Sequence, residues 1–269
     1  MYTEDINLVK GIISRAGDLV REYAAKRSGL NIELKGKNDL VTTADVEVEK
    51  LIIGELRKNR PNDLILAEES SQRSSMPDTR TWVIDPIDGT TNFAHGFPVY
   101  CVSIALWHKS EAVVGAVLEV NRNELFLACR GKGATLNGEP IRVTSTENPA
   151  ETLLATGFPY RNLDLLDEYL ELFRSFMHET LGVRRPGSAC YDLCCVAAGR
   201  FDGFYEYGLE PWDVGAGSLI ITEAGGIVTD WNGTQNWMFG QRIVAGNPVI
   251  HAYLLRRIQH HIPPKKRAI

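Results

Sequence analysis

Carboxylates stand in this sequence where apolar runs stop. Leu64-Ile65-Leu66-Ala67 ends in Glu68-Glu69, Thr81-Trp82-Val83-Ile84 ends in Asp85, and Asp213 follows Trp212 at the head of an apolar stretch. Asp85 opens the octapeptide Asp85-Pro86-Ile87-Asp88-Gly89-Thr90-Thr91-Asn92. If the ends of these runs converge, three or four carboxylates share one pocket. Two unit charges about 4 Å apart repel by roughly 4 kcal/mol at an effective dielectric of about 20. Such a cluster defeats itself without cations. Hard oxygen ligands with no histidine or cysteine nearby in sequence suit Mg²⁺, with Mn²⁺ and Ca²⁺ as weaker alternatives.

Pro86 fixes its own φ and biases Asp85 towards extended backbone. Asp85 and Asp88 then approach one metal region from both ends of a turn, with the Ile87 carbonyl between them. Gly89 permits close backbone approach and Thr90 supplies a hydroxyl. A helix beginning near Thr90 to Asn92 aims free N–H groups at an anion. Carboxylates for a metal beside backbone donors for a phosphate describe a metal-assisted phosphatase. Taken singly, each acid has a plainer reading: Asp before Gly is a turn residue, and Asp213 alone is a helix cap. The phosphatases that carry Asp-x-Asp-Gly-Thr with an aspartate nucleophile do not fit. Here the two acids are separated by Pro86 and Ile87, and two helices and a strand precede the motif.

The elements that position these acids are legible in outline. Ile6, Val9, Ile13, Ala16, Val20 and Tyr23 form the stripe of an amphipathic helix, with Thr3 as its cap. A second helix follows Thr42, which has capping-box spacing to Asp45 and closes at Pro61. Strands are expected over Val99–Trp107, Glu111–Val120 and Glu124–Cys129, with a hairpin at His108-Lys109-Ser110 and a tight turn at Asn137-Gly138. Beyond a seam near 148–150, Leu153–Thr156, Phe201–Tyr207, Ile227–Thr229 and Arg242–Ala245 read as strands. They alternate with helices over Leu163–Met177, Ser188–Ala198, Val214–Ala224 and from Asn247 to His260. Pro263–Ile269 reads as a frayed basic end. This order predicts mixed α and β layers in a single domain.

Composition narrows the function classes. The 269 residues are 44% hydrophobic and 23% charged, ordinary for a globular protein. The net charge of −5 argues against nonspecific nucleic-acid binding. Five cysteines without a CxxC pair argue against a disulfide framework or a zinc site. Neither an apolar signal region nor a membrane span is evident, so a cytoplasmic location is expected.

The motifs together make the chain resemble the inositol monophosphatase family of the lithium-sensitive, Mg²⁺-dependent phosphatases. Lys37-Asn38-Asp39-Leu40-Val41-Thr42-Thr43-Ala44-Asp45 is similar to the family's N-terminal motif. Ala67-Glu68-Glu69-Ser70 is similar to its Gly-Glu-Glu segment, with Ala67 in place of the glycine. Asp85–Asn92 and Pro211-Trp212-Asp213-Val214-Gly215-Ala216 are similar to its two signatures. The resemblance covers nearly the whole chain. It implies a layered αβαβα sandwich, mixed α/β in class, and a homodimer. It implies that Glu68, Asp85 and the Ile87 carbonyl hold one Mg²⁺ and that Asp85, Asp88 and Asp213 hold a second, with a weaker third ion near Glu68. Thr90, backed by Asp45 and Glu68, orients the attacking water, and Gly89 and Thr90 hold the phosphate. The alcohol half falls to Glu206 and the Gly187-Ser188-Ala189 stretch, with Asp88 and Asp213 beside them. Tyr205, Tyr207 and Arg185 are further candidates for this pocket, and Lys35 or Lys37 for the metal region. The implied reaction is hydrolysis of a small phosphorylated polyol or sugar, first of all an inositol monophosphate, by direct attack of water. Fructose-1,6-bisphosphatase, 3′-phosphoadenosine phosphatase and histidinol phosphatase are the alternatives within the superfamily. A regulatory binding protein that keeps the fold is the alternative outside catalysis.

Overall fold

The computed structural model describes residues 2–26, 32–36, 39–70, 75–158, 160 and 162–267. The Lys35 side chain and all of Lys37 lie outside the described residues. The chain begins with α1 (Thr3–Ala25), the hairpin β1 (Ile32–Gly36) and β2 (Asp39–Thr42), and α2 (Thr43–Asn59). Thr3 is the first helical residue rather than the cap; the capping position is Tyr2, whose side chain makes no capping bond and instead meets His108 Nδ1 at 2.9 Å. The box at α2 forms as the spacing predicts. Thr42 N and Oγ1 both donate to Asp45 Oδ2, at 2.7 and 2.6 Å.

A seven-stranded sheet follows, in the order β3-β4-β5-β6-β7-β8-β9. Its members are β3 (Leu64–Ala67), β4 (Thr81–Asp88), β5 (Cys101–His108), β6 (Glu111–Glu119), β7 (Glu124–Cys129), β8 (Ala134–Leu136) and β9 (Glu139–Ile141). The short helix α3 (Thr90–His95) lies between β4 and β5. Lys109 and Ser110 take φ of 56° and 60° in the β5–β6 hairpin, the mirror-image turn that matches strand twist. β4 does not end at Asp85. It runs on to Asp88, with its register against β5 shifting between Asp85 and Asp88. Pro86 lacks a ladder donor, and this irregularity is where a sheet tolerates it.

After a 3₁₀ turn at Pro149–Glu151 the chain enters a five-stranded sheet. The strands are β10 (Leu153–Thr156), β11 (Gly182–Arg184), β12 (Gly203–Tyr207), β13 (Ile227–Thr229) and β14 (Arg242–Gly246), ordered β11-β10-β12-β14-β13. The helices interleaved with them are α4 (Leu166–Glu179), α5 (Ala189–Ala197), α6 (Pro211–Glu223) and α7 (Pro248–His261). α1 and α2 cover one face of the larger sheet. α5 and α6 fill the space between the sheets, and α4 and α7 cover the far face of the smaller one. The result is the expected αβαβα sandwich, with one apolar core at each end and one around α5 and α6.

Two expectations shift. Leu166, Leu170, Phe173 and Met177 recur at helical spacing in the sequence, but α4 buries Tyr169, Leu172 and Phe176, and Leu170 and Met177 are exposed. The basic tail is tied down as far as it is described. Lys266 Nζ lies 2.6 Å from Glu168, and Arg267 Nε donates to the Ile262 carbonyl at 2.7 Å.

Candidate active site

The ends of β3 and β4, the N-termini of α5 and α6, and the end of β12 meet around a cavity of about 630 Å³. Glu68, Asp85, Ile87, Asp88, Gly89, Thr90, Gly187, Ser188, Ala189, Glu206 and Asp213 all line it. Asp45 is buried beneath, within α2.

Asp85, Asp88 and Asp213 bring one carboxylate oxygen each within 4.8 Å of one another. Asp85 is 1% exposed, and its Oδ1 has no hydrogen-bond partner. Burial, then the charges of Glu68 and Asp88, hold the Asp85 carboxyl well above the usual carboxylate range. Its neighbour is fixed differently. Asp88 Oδ2 accepts from the Ser188 hydroxyl at 2.6 Å and from Cys190 N at 2.7 Å, with Cys101 Sγ at 3.7 Å. These donors saturate that oxygen and hold the carboxylate in place. Burial still raises Asp88, against the lowering by Ser188 and Cys190. Cys101 and Cys190 are therefore close to the acids in space, although not in sequence. Burial pushes Cys101 up to about 12, so it acts as a donor rather than a thiolate. Asp213 sits at the third position of α6, where one oxygen takes the N–H of Glu210 at 2.7 Å.

The α2 capping box reaches the site through its other oxygen. Thr90 Oγ1 lies 3.1 Å from Asp45 Oδ1 and 3.0 Å from the Ile87 carbonyl. Its single proton serves one acceptor at a time, leaving its lone pairs for a third partner. Gly89 has φ of 94°. A Cβ there would lie 3.0 Å from the Val99 carbonyl and 3.1 Å from that of Gly187, so only glycine fits.

Glu206 lines the cavity from β12. Burial, then Asp213, push it up to about 8, with Arg185 opposing. Tyr205 does not line the cavity. It is fully buried in the outer core under α4 and α7, because strand alternation points it away from the face that carries Glu206. Tyr207 and Arg185 reach the cavity rim.

Four contributors had escaped sequence reasoning. Asn92 Nδ2 donates to the carbonyls of Val99 and Pro186 at 2.8 and 3.0 Å, pinning the Gly187 turn beside Gly89. Glu49 Oε2 accepts from Glu69 N at 2.8 Å and fixes the backbone after Glu68. Gly157 and Asp192 line the cavity as well. The glycine pattern and a lone acid in an apolar helix were the available signals.

A family model described as the inositol monophosphatase family matches residues 1–263. The Nus factor SuhB of Pseudomonas aeruginosa is 42% identical over 263 residues, covering 96% of this chain and 97% of that protein. The extragenic suppressor protein suhB from Bartonella henselae superposes with a TM-score of 0.91 at 38% identity, covering 96% of this chain and 99% of that one. An inositol monophosphatase from Anabaena superposes with a TM-score of 0.84 at 36% identity, covering 97% of each chain.

Proposed function

This chain belongs to the inositol monophosphatase family, and we propose that it is a Mg²⁺-dependent phosphate monoester hydrolase acting on a phosphorylated polyol, in the first place an inositol monophosphate. One observation carries the reading: the buried Asp85 Oδ1 has no donor, and Asp85 shares a cluster with two further acids. A carboxylate oxygen so placed is costly until a cation meets it, so the donor set fits a hard divalent ion. Glu68, Asp85 and the Ile87 carbonyl are assigned to one ion, and Asp85, Asp88 and Asp213 to a second. Bound Mg²⁺ supplies Lewis-acid neutralisation of the phosphate and of the leaving alkoxide.

The chain's own groups do the rest. Thr90 Oγ1 donates to Asp45 Oδ1 and accepts from the attacking water, orienting it in line with the phosphorus. Thr42 holds Asp45 so that the acceptor does not rotate. The backbone N–H groups of Gly89 and Thr90 hold phosphate oxygens. Glu206 bonds ring hydroxyls of the alcohol half.

The test is phosphate release in Mg²⁺ and in EDTA over a panel of inositol, fructose and nucleoside phosphates. Activity is expected only with Mg²⁺ and highest on the inositol phosphates. Asp85→Asn is expected to abolish turnover and the Mg²⁺-induced rise in Tm, while leaving the metal-free Tm equal or higher. Full activity in chelator would remove the metal reading. A second reading, a binding role of this fold beside hydrolysis, draws on the name Nus factor carried by close relatives. If the inert Asp85→Asn chain replaces the wild type in its host, the cell uses binding rather than turnover.

A further inference from the structure

All nine residues of α5 are buried, and Asp192 is the only carboxylate among them. The helix carries Asp192 in its first turn, but not as its cap. Its first-turn cap position is Ser188, whose hydroxyl is committed to Asp88. Asp192 is 1% exposed, its Oδ1 is buried without a hydrogen-bond partner, and the residue lines the cavity beside Ala189 and Glu206. Leaving a polar group buried and unpaired costs a fold about 1–3 kcal/mol, and none of its own groups recovers that here. Unlike the unpartnered Tyr205 hydroxyl, which lies outside the cavity, Asp192 stands where a bound molecule can supply a partner.

Its surroundings select the partner's chemistry. Burial, followed by the charges of Glu206 and Asp88, drives the Asp192 carboxyl well above the usual range, and Arg185 opposes this only in part. A carboxylate accepts from hydroxyls, and a protonated carboxyl both donates to them and accepts from them, so hydroxyls suit either form. An anionic group at this end of the cavity would meet Asp88, Asp192 and Glu206 together. An apolar group would leave Asp192 as it is. A polyhydroxy alcohol satisfies both acids.

We propose that Asp192 is a second substrate-reading acid, bonding one hydroxyl of the phosphorylated polyol while Glu206 bonds another. The inference rests on the hydrolase reading above. It adds a residue outside the signature motifs and makes recognition of the alcohol a two-acid device joining α5 to β12.

Asp192→Asn and Asp192→Leu test it in the full chain with Mg²⁺. kcat/KM is measured on inositol 1-phosphate and on p-nitrophenyl phosphate, and Tm in EDTA. The expected result is a loss of about tenfold or more on inositol phosphate and less than about threefold on the aryl ester, with Tm unchanged or raised. A structural role predicts the reverse: lower Tm and equal losses on both substrates. Equal losses, or no loss on inositol phosphate, overturn the role of Asp192 while leaving the hydrolase reading in place. A wild type that hydrolyses the aryl ester but no phosphorylated polyol overturns the substrate reading, and the inference with it.

Discussion

Gly157→Ala perturbs the specificity side of the site from a residue with no side chain of its own. A Cβ at this position would lie 1.8 Å from Glu206 Oε1 and 2.1 Å from its Cδ. Contacts under 3.0 Å are not sustained, so the carboxyl must retreat from 1.8 to at least 3.0 Å, about 1.2 Å. Misplacing a substrate-positioning group by about 1 Å costs on the order of 10²-fold. The expected loss in kcat/KM on inositol phosphate is therefore roughly 10- to 100-fold, because the acid proposed to bond the ring is moved. The metal cluster and Thr90 are untouched, so p-nitrophenyl phosphate should change little. Gly157 is not in the left-handed region, so alanine meets only the steric clash. The clashing atoms are the far end of a side chain that can swing. The stability loss should then fall near about 1 kcal/mol, the low end for overpacking, or a Tm drop of about 2–4 °C. The double variant with Glu206→Ala removes the clash, and its Tm should recover. Unchanged selectivity in Gly157→Ala, or a Tm loss that persists without the Glu206 carboxyl, refutes the argument.

Two further outcomes follow from the same geometry. Thr90→Ala should lower kcat more than it raises KM, because its hydroxyl is proposed to orient water in the transition state rather than to hold the ground-state substrate; steady-state kinetics showing a pure KM effect would move Thr90 to simple binding. Glu206, pushed up to about 8 by burial, holds its proton more tightly in the folded chain than in the unfolded one, where a glutamate titrates near about 4.3. Its contribution to stability is complete below about pH 4.3 and is lost as pH rises through about 8. In EDTA, the Tm advantage of Glu206→Gln over the wild type should therefore grow between about pH 5 and pH 8.5, and a constant difference by calorimetry would count against the raised value.

What could be read in the sequence tracks the range of the interaction behind it. The Thr42–Asp45 box spans three residues and was plain. The octapeptide Asp85–Asn92 carries its own geometry, including the proline that accounts for the irregular pairing of β4. The αβαβα layering followed from the family resemblance, whereas strand and helix edges moved by a few residues. The fate of Tyr205 was within reach of simple alternation, since it cannot share a face with Glu206 in one strand. The phase of α4 was not, because its apolar residues fill more than one face and only docking against α7 and the sheet selects Tyr169, Leu172 and Phe176. Gly157 and Asp192 were hidden for a stronger reason. Each has its meaning through Glu206, a residue on another element, and nothing adjacent to either in sequence announces that contact.

The same long-range character explains how the fold tolerates its own site. Asp85, Asp88, Asp192 and Glu206 all have raised carboxyls, with burial the first cause in each. Each therefore opposes folding at neutral pH unless something offsets it. Where the chain supplies the offset, the acid is held in place: Ser188 and Cys190 N fix Asp88, and the N–H of Glu210 fixes one oxygen of Asp213. Where it does not, as at Asp85 Oδ1 and Asp192 Oδ1, an oxygen is left buried without a donor in a residue that lines the cavity. The bare oxygens fall at two places with two chemistries. One lies among acids at the end of β4, where only a cation relieves the repulsion. The other lies beside Glu206, where neutral hydroxyls suffice. A chain selected for stability alone would have filled both positions with amides or apolar groups. On the proposed function, their retention separates the cavity into a half that handles charge and a half that recognises an alcohol, so variants at Asp85 and Asp192 should keep the fold while losing different functions.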